Sequence, residues 1–291
     1  MLPKISACLF IRDNNVGAFC AWESMASLIN FADEYIVMDC GSTDGTLELL
    51  KVLAQKNPKI KLVHGTFNRD YNGKLDPKIF ADLANELVAM CKHDIVLYHQ
   101  ADEIWHEDLL ELMRAELEKV EDLDKFKGFN FWRYQLKENF QVMKWWPHQV
   151  NRVGVKGRFN FIGDGMGTNT PGNTVFTQTE YAWEPYFQFG PHLMPTNQMI
   201  LDVSMVGGFL ETILKRRQLH APLWNENPDV LYGVAPAGAG VDIHKWMAEQ
   251  RLNSRWNMTT TPFNIPAIMR GHLGKLTYEV RPEIIDRIVK G

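Results

Sequence analysis

The chain has 291 residues, 45% apolar and 23% charged, with 31 Lys plus Arg against 35 Asp plus Glu for a formal charge of −4. That balance excludes a disordered, collagen-like or disulfide-stapled chain, and it gives no bulk positive charge for nucleic acid. At roughly 150 residues per domain the length fits two domains, or one large α/β domain with additions.

Taken in chain order, residues 5–11 are an apolar run of strand length. The opening MLPKISACLFIRD therefore reads as a first strand rather than a signal peptide. Residues 18–31 carry a helical pattern, 35–38 are a short apolar run ending in Asp39, and 44–55 (DGTLELLKVLAQ) are rich in helix formers. Ser42 or Thr43 is the expected cap of that helix. A strand at 60–63, a helix at 77–91, a strand at 94–98 and a charged amphipathic helix at 106–119 complete the first part. Strand and helix alternate four times, which predicts a parallel sheet covered on both faces.

After residue 125 the pattern changes. The span 126–161 reads as aromatic, partly antiparallel strands (GFNFWRYQL, then HQVNRVGV). Residues 162–175 (IGDGMGTNTPGNTV) read as a loop, 197–219 as a helix ending in Lys215-Arg216-Arg217, and 233–241 as a linker or mobile loop. Helices are expected at 241–252 and 282–290.

No uninterrupted apolar run reaches ~18 residues, so no transmembrane helix is expected. Cys8, Cys20, Cys40 and Cys91 are scattered without a C-x-x-C pair and read as buried, reduced thiols of a cytoplasmic protein. The Asn257-Met258-Thr259 sequon is then incidental. The chain has 9 Trp, most of them after residue 100. Of these, Trp132, Trp145, Trp146 and Trp183 suit either a sugar site or a core.

In an open parallel sheet, ligands bind outside the carboxyl ends of the strands. Asp39 and Asp102 both fall at such ends. Asp39 precedes a Gly-rich turn, Cys40-Gly41-Ser42-Thr43-Asp44-Gly45-Thr46, and Asp102 lies in Gln100-Ala101-Asp102-Glu103. A hard cation with a diphosphate needs only one or two carboxylates, which the second stretch supplies. Glu107 and Asp108 read as first-turn acids of the next helix and His106 as near its cap. His106-Glu107 begins an H-E-x-x-H pattern, but the fifth position is Leu110, which excludes that zinc site. There is no G-x-x-x-x-G-K-[ST], so there is no P-loop. His99 and His148 read as packed or hydrogen-bonded.

Asp39 to Thr46 (DCGSTDGT), followed some sixty residues later by YHQADEIWHEDL, resembles the family 2 glycosyltransferases of the GT-A fold. It is closest to a bacterial and phage branch with a "QADE" sequence. The resemblance covers about residues 4 to 215. It implies a Rossmann-type, mostly parallel α/β sheet flanked by helices, a mixed acceptor region and a helical C-terminal tail. The implied division is 1–220 for the catalytic domain, with a nucleotide-sugar half to 103 and an acceptor half from 104, and 221–291 for the extension.

The same resemblance implies roles. Asp39 contacts the donor's base or ribose. Ile11, Arg12 and Asp13 line the nucleotide pocket, and Arg69 or Lys74 contacts base or phosphate. Gln100, Ala101 and Asp102 stand where the family's D-x-D motif lies, with Asp102 holding a divalent metal, Mn2+ or Mg2+, against the sugar diphosphate. Gln100 replaces the motif's first acid. Asp164 is the candidate base for the acceptor hydroxyl. The third metal ligand is Gln188, His192 or neither. The implied activity is inverting transfer from a nucleotide sugar, with UDP as the expected nucleotide, to a hydroxyl acceptor: a glycan, a lipid-linked glycan, a protein or a modified nucleobase in DNA. The alternatives are a sugar nucleotidyltransferase and a non-catalytic nucleotide- or sugar-binding module.

Overall fold

The computed structural model describes residues 3–17, 19–67, 78–126, 128–137, 142–144, 148–162, 166–169, 187–188, 199–202, 230–231, 235–236, 258–260, 266–272 and 279–291. In chain order the first part runs β1 (Ile5–Ile11), α1 (Asn14–Gly17), α2 (Ala21–Leu28), β2 (Glu34–Asp39), α3 (Thr46–Lys56), β3 (Ile60–His64), α4 (Lys78–Met90), β4 (Ile95–Tyr98), β5 (Glu103–Trp105) and α5 (Glu107–Leu117). The strands β3, β2, β1 and β4 lie side by side in that order and are all parallel. This is the expected sheet, and register brings Ile11, Asp39 and His64 level at its carboxyl edge.

Strand side chains alternate between faces, and here both faces are covered. Ile5, Ala7, Leu9 and Ile11 of β1, Tyr35 and Val37 of β2, and Ile95 and Leu97 of β4 join α2, α3 and α5 in one core. Cys8, Ile36, Met38, Val96 and Tyr98 face the other way, against Ile79, Leu83, Leu87 and Val88 of α4. The near-continuous apolar strands follow from this double burial. All four cysteines are buried and free, as expected.

Beyond β4 the sheet continues antiparallel. β8 (His148–Val155) pairs with β4, and β6 (Phe129–Lys137) pairs with β8. β7 (Val142–Lys144) pairs with the end of β6. β9 (Phe159–Ile162) and β10 (Met166–Asn169) form a separate antiparallel pair. β11 (Phe187–Gln188) and β12 (Met199–Asp202) both run parallel to β6, and β12 also pairs with β5. β13 (Val230–Leu231) pairs with β14 (Ala235–Pro236), and β15 (Met258–Thr260) with β7. A 3-10 helix, Ala267–His272, and α6 (Pro282–Lys290) follow.

Four expectations need correction. Residues 166–169, expected in a loop, are β10; pairing with β9 supplies backbone hydrogen bonds that their Gly/Thr/Asn composition does not advertise. Residues 199–202, expected in a helix, are β12, because Ile200 and Leu201 pair with Trp105 and Ile104. A short apolar run fits strand or helix equally by period, so its partners decide. Residues 235–236, expected in a linker, form β14. The helix expected over 18–31 starts only at Ala21, because Cys20 sits in the left-handed region at φ 61°. The expected helix at 241–252, the Lys215–Arg217 cluster and the side chains of Trp132, Trp145, Trp146, Trp183 and His148 lie outside the described residues.

The expected helix at 282–290 is α6. It buries Ile284 and Ile288 in the core shared with α2 and α3. Asn57, just past α3, donates through Nδ2 to the Ile288 carbonyl at 2.6 Å.

Candidate active site at the carboxyl edge of the sheet

Asp39 ends β2 with 1% of its surface exposed. Its Oδ2 accepts the Gly41 N–H at 3.0 Å and the Ser42 N–H at 3.2 Å. The chain thus folds back on the carboxylate, which needs Gly41 at φ +86°. A Cβ there would meet nothing, so the requirement is the left-handed backbone and not space. Asp39 Oδ1 is buried and has no hydrogen-bond partner among the described residues. A buried acceptor left unmade costs about 1–3 kcal/mol, so a ligand donor reaching it would be favoured. Burial, then the Asp39 charge, pushes the adjacent Cys40 thiol up to about 12, so it stays a thiol.

A second loop closes over this turn from the end of β1. Asp13, at φ 49°, accepts from the Thr43 N–H at 2.7 Å and from the Thr43 hydroxyl at 3.3 Å. In return its own N–H donates to Ser42 Oγ at 2.9 Å. Ser42 and Thr43 are therefore bound to Asp13 and do not cap α3, a correction to the expected cap. That task falls to Asp44, whose Oδ1 accepts the Thr46 N–H at 3.1 Å. Asn15 ties the same loops through Asp44 and Thr46. Ile11 is buried, and its carbonyl accepts the Cys40 N–H. Arg12 is half-buried, pairs with Asp13 at 3.3 Å and lies over the Phe67 ring.

Asp102 follows β4 in a turn closed by the Glu103 N–H donating to the Gln100 carbonyl. The Gln100 N–H donates back to Glu103 Oε2 at 3.1 Å. Glu103 is fully buried, and Arg152 of β8 grips it: Nε to Oε2 at 2.9 Å and Nη2 to Oε1 at 2.7 Å. Asp102 is half-buried beside them. Burial works against the Arg152 charge, but the Glu103 carboxylate outweighs it and raises the Arg152 pKa further.

Beneath the turn lies His99, also fully buried. Its Nδ1 lies 2.8 Å from Ser24 Oγ and 3.2 Å from the Gln100 carbonyl, and its Nε2 lies 2.5 Å from the Tyr35 hydroxyl. Ser24 donates its own proton to the Glu103 carbonyl. These partners assign the imidazole proton to Nδ1, with Tyr35 donating to Nε2. Burial pushes His99 down to about 4, so it is neutral. His106 caps α5 by accepting the Asp108 N–H, with Glu107 and Asp108 in the first turn, as expected.

β2, β1 and β4 are adjacent, so Asp39 and the start of the Asp102 turn stand about two strand spacings apart, roughly 10 Å. Among the described residues no group of three or more His, Cys, Asp or Glu could hold a metal alone. The acids here fit only a cation that takes its other ligands from a diphosphate and water. Gln188 is in β11; Arg69, Lys74, Asp164 and His192 lie outside the described residues. Sequence reasoning did not single out Arg152 or the work of Glu103. A usable signal was present: an Arg inside the apolar run Val150 to Val155 must find an acid if that strand is buried.

The chain matches the family model "Glycosyl transferase family 2" over residues 21–179 and belongs to that family. No curated protein matches it. Among solved structures it is similar to TarS of S. aureus, at 17% identity over 46% of this chain and 22% of that one, with a TM-score of 0.31. It is also similar to the mannosyltransferase PcManGT from Pyrobaculum calidifontis in complex with GDP-Man and Mn2+, at 20% identity over 47% and 36%, TM-score 0.32. A third is glucosyl-3-phosphoglycerate synthase from Mycobacterium tuberculosis with Mn2+, UDP and glucosyl-3-phosphoglycerate, at 17% over 46% and 44%, TM-score 0.29. The chain thus spans less than half the length of each. Similarity of that degree assigns neither donor nor acceptor to this chain.

Proposed function

We propose that this glycosyltransferase-family chain moves a sugar from a nucleotide sugar, UDP-linked, to a hydroxyl acceptor with inversion, in a divalent-metal-dependent reaction. The observation that carries the reading is the buried, unpartnered Asp39 Oδ1 at the same sheet edge as the Asp102 turn. In this reading Asp39 accepts a donor N–H or O–H from base or ribose, Ile11, Arg12 and Asp13 wall the pocket, and Arg69 or Lys74 is the candidate contact to base or phosphate. Asp102, beside Gln100 and Ala101, holds Mn2+ or Mg2+ with the diphosphate, and Gln188 or His192 is the candidate further ligand. When bound, the cation offsets the charge that grows on the leaving diphosphate. Asp164 takes the acceptor's proton, because a neutral hydroxyl is a poor nucleophile.

The proposed division is a catalytic domain at 1–220 and an extension at 221–291, in a cytoplasmic protein. No helix among the described residues is long and apolar enough to cross a membrane. The acceptor class stays open among glycan, lipid-linked glycan, protein and modified nucleobase. The test is turnover of a UDP-sugar panel with Mn2+. Asp102→Asn is expected to lower kcat/KM at least 100-fold, and retained activity would remove the metal assignment. Binding without turnover on any acceptor would favour a non-catalytic module.

A further inference from the structure

Arg152 and Glu103 form an ion pair that is 1% and 0% exposed. Such a pair is weak ground for stability, because apolar replacements of both partners are often neutral or stabilising. Its position says more. Glu103 closes the turn through Gln100, and Arg152 fixes Glu103 through both carboxylate oxygens. Arg152 also lies over the Tyr98 ring at the end of β4. Its charge interacts with Asp102 as well as Glu103.

We infer that Arg152 is a positioning residue for the metal–diphosphate site, acting through Glu103 to set the Asp102 turn and through its charge to keep two neighbouring carboxylates side by side. The inference rests on the reading of Asp102 as the metal-holding acid. The turn carries two adjacent acids with different work. Glu103 is turned inward and saturated by Arg152 and the Gln100 N–H. Asp102, half-exposed, is the acid presented at the ligand edge. Two adjacent carboxylates repel, and a guanidinium that never deprotonates offsets one of them permanently. The fork geometry matters as much as the charge, since a Lys ammonium cannot grip both oxygens in one plane.

The test is Mn2+ binding to the full chain in the presence of UDP, read by electron paramagnetic resonance, with folding followed by circular dichroism. Partners that orient a metal-holding group typically change metal affinity by about 10- to 100-fold when removed. The double variant Arg152→Met, Glu103→Gln strands no charge and keeps an amide oxygen for the Gln100 N–H. It is expected to fold and to bind Mn2+–UDP at least 10-fold more weakly. Arg152→Lys is expected to fall between it and the parent, more than threefold weaker. Binding within threefold of the parent in both variants overturns the inference. If the double variant does not fold, Arg152→Lys decides alone by the same threshold. Asp102→Asn run alongside separates the two readings. If it leaves Mn2+–UDP binding intact, the Asp102 assignment fails and the inference falls with it. If it abolishes binding while both Arg152 variants stay within threefold of the parent, the positioning role alone is lost.

Discussion

Asp39 and Asp102 stand at one edge of one sheet, but they are held there by different forces. The Asp39 loop is local: its amide partners are two and three residues away, and the Asp13 loop that locks it comes from the neighbouring strand. Backbone amides donating to the Asp39 and Asp13 carboxylates do most of the holding. The Asp102 turn is buttressed from below by an ion pair spanning 49 residues and by a neutral histidine. Hydrogen bonds to a carboxylate contribute about 1.5–3 kcal/mol each, whereas removing one partner of a buried ion pair costs about 3–5 kcal/mol. Asp102 is therefore the acid more exposed to single mutations in its support, although its own side chain is the less buried.

The sharpest way to break this comparison is Glu103→Ala, which leaves Arg152 charged and unpaired. It is expected to lower stability by about 3–5 kcal/mol in urea denaturation. A loss no larger than that of Asp39→Ala would remove the distinction.

A somewhat smaller effect is expected from pH, and on the Asp102 side. The His99 pKa is depressed from about 6.5 in the unfolded chain to about 4 in the fold. Below pH 6.5 the unfolded state therefore takes up a proton that the folded state refuses. Stability is present in full above about 6.5 and is lost as pH falls toward about 4, on the order of 3 kcal/mol in total. Denaturation midpoints at pH 7.5, 6 and 4.5 should show this slope, and His99→Gln should flatten it. The smallest effect is Asp39→Ala, which strands the Gly41 and Ser42 amides. About 1–3 kcal/mol of stability should go, by the same denaturation measurement.

The same contrast governs what could be read from the sequence. The four parallel strands and α3, α4, α5 and α6 were legible because each carries its own apolar period and its own stop signals. The placing of Asp39 and Asp102 at one edge followed from that alternation alone. Arg152 was not legible, because its meaning depends on Glu103, forty-nine residues away, and on a strand whose burial is set by pairing with β4. β12 was missed for the same kind of reason: Ile200 and Leu201 acquire strand geometry from Trp105 and Ile104. Cys20 and Asp13 show the local limit. Both take left-handed backbone without being glycine, and nothing in their neighbours' side-chain types announces it.

The bond from Asn57 to the Ile288 carbonyl joins positions 231 apart. A ribosome adding about 5–20 residues per second needs roughly 10 to 50 s to cover that interval. For that time α2 and α3 exist without Ile284 and Ile288, so the apolar face they share is open to water or to other chains. The core of the first half is thus finished by residues made 231 positions later, and a nascent chain stalled before residue 282 would expose a greasy seam for chaperones or aggregation to find.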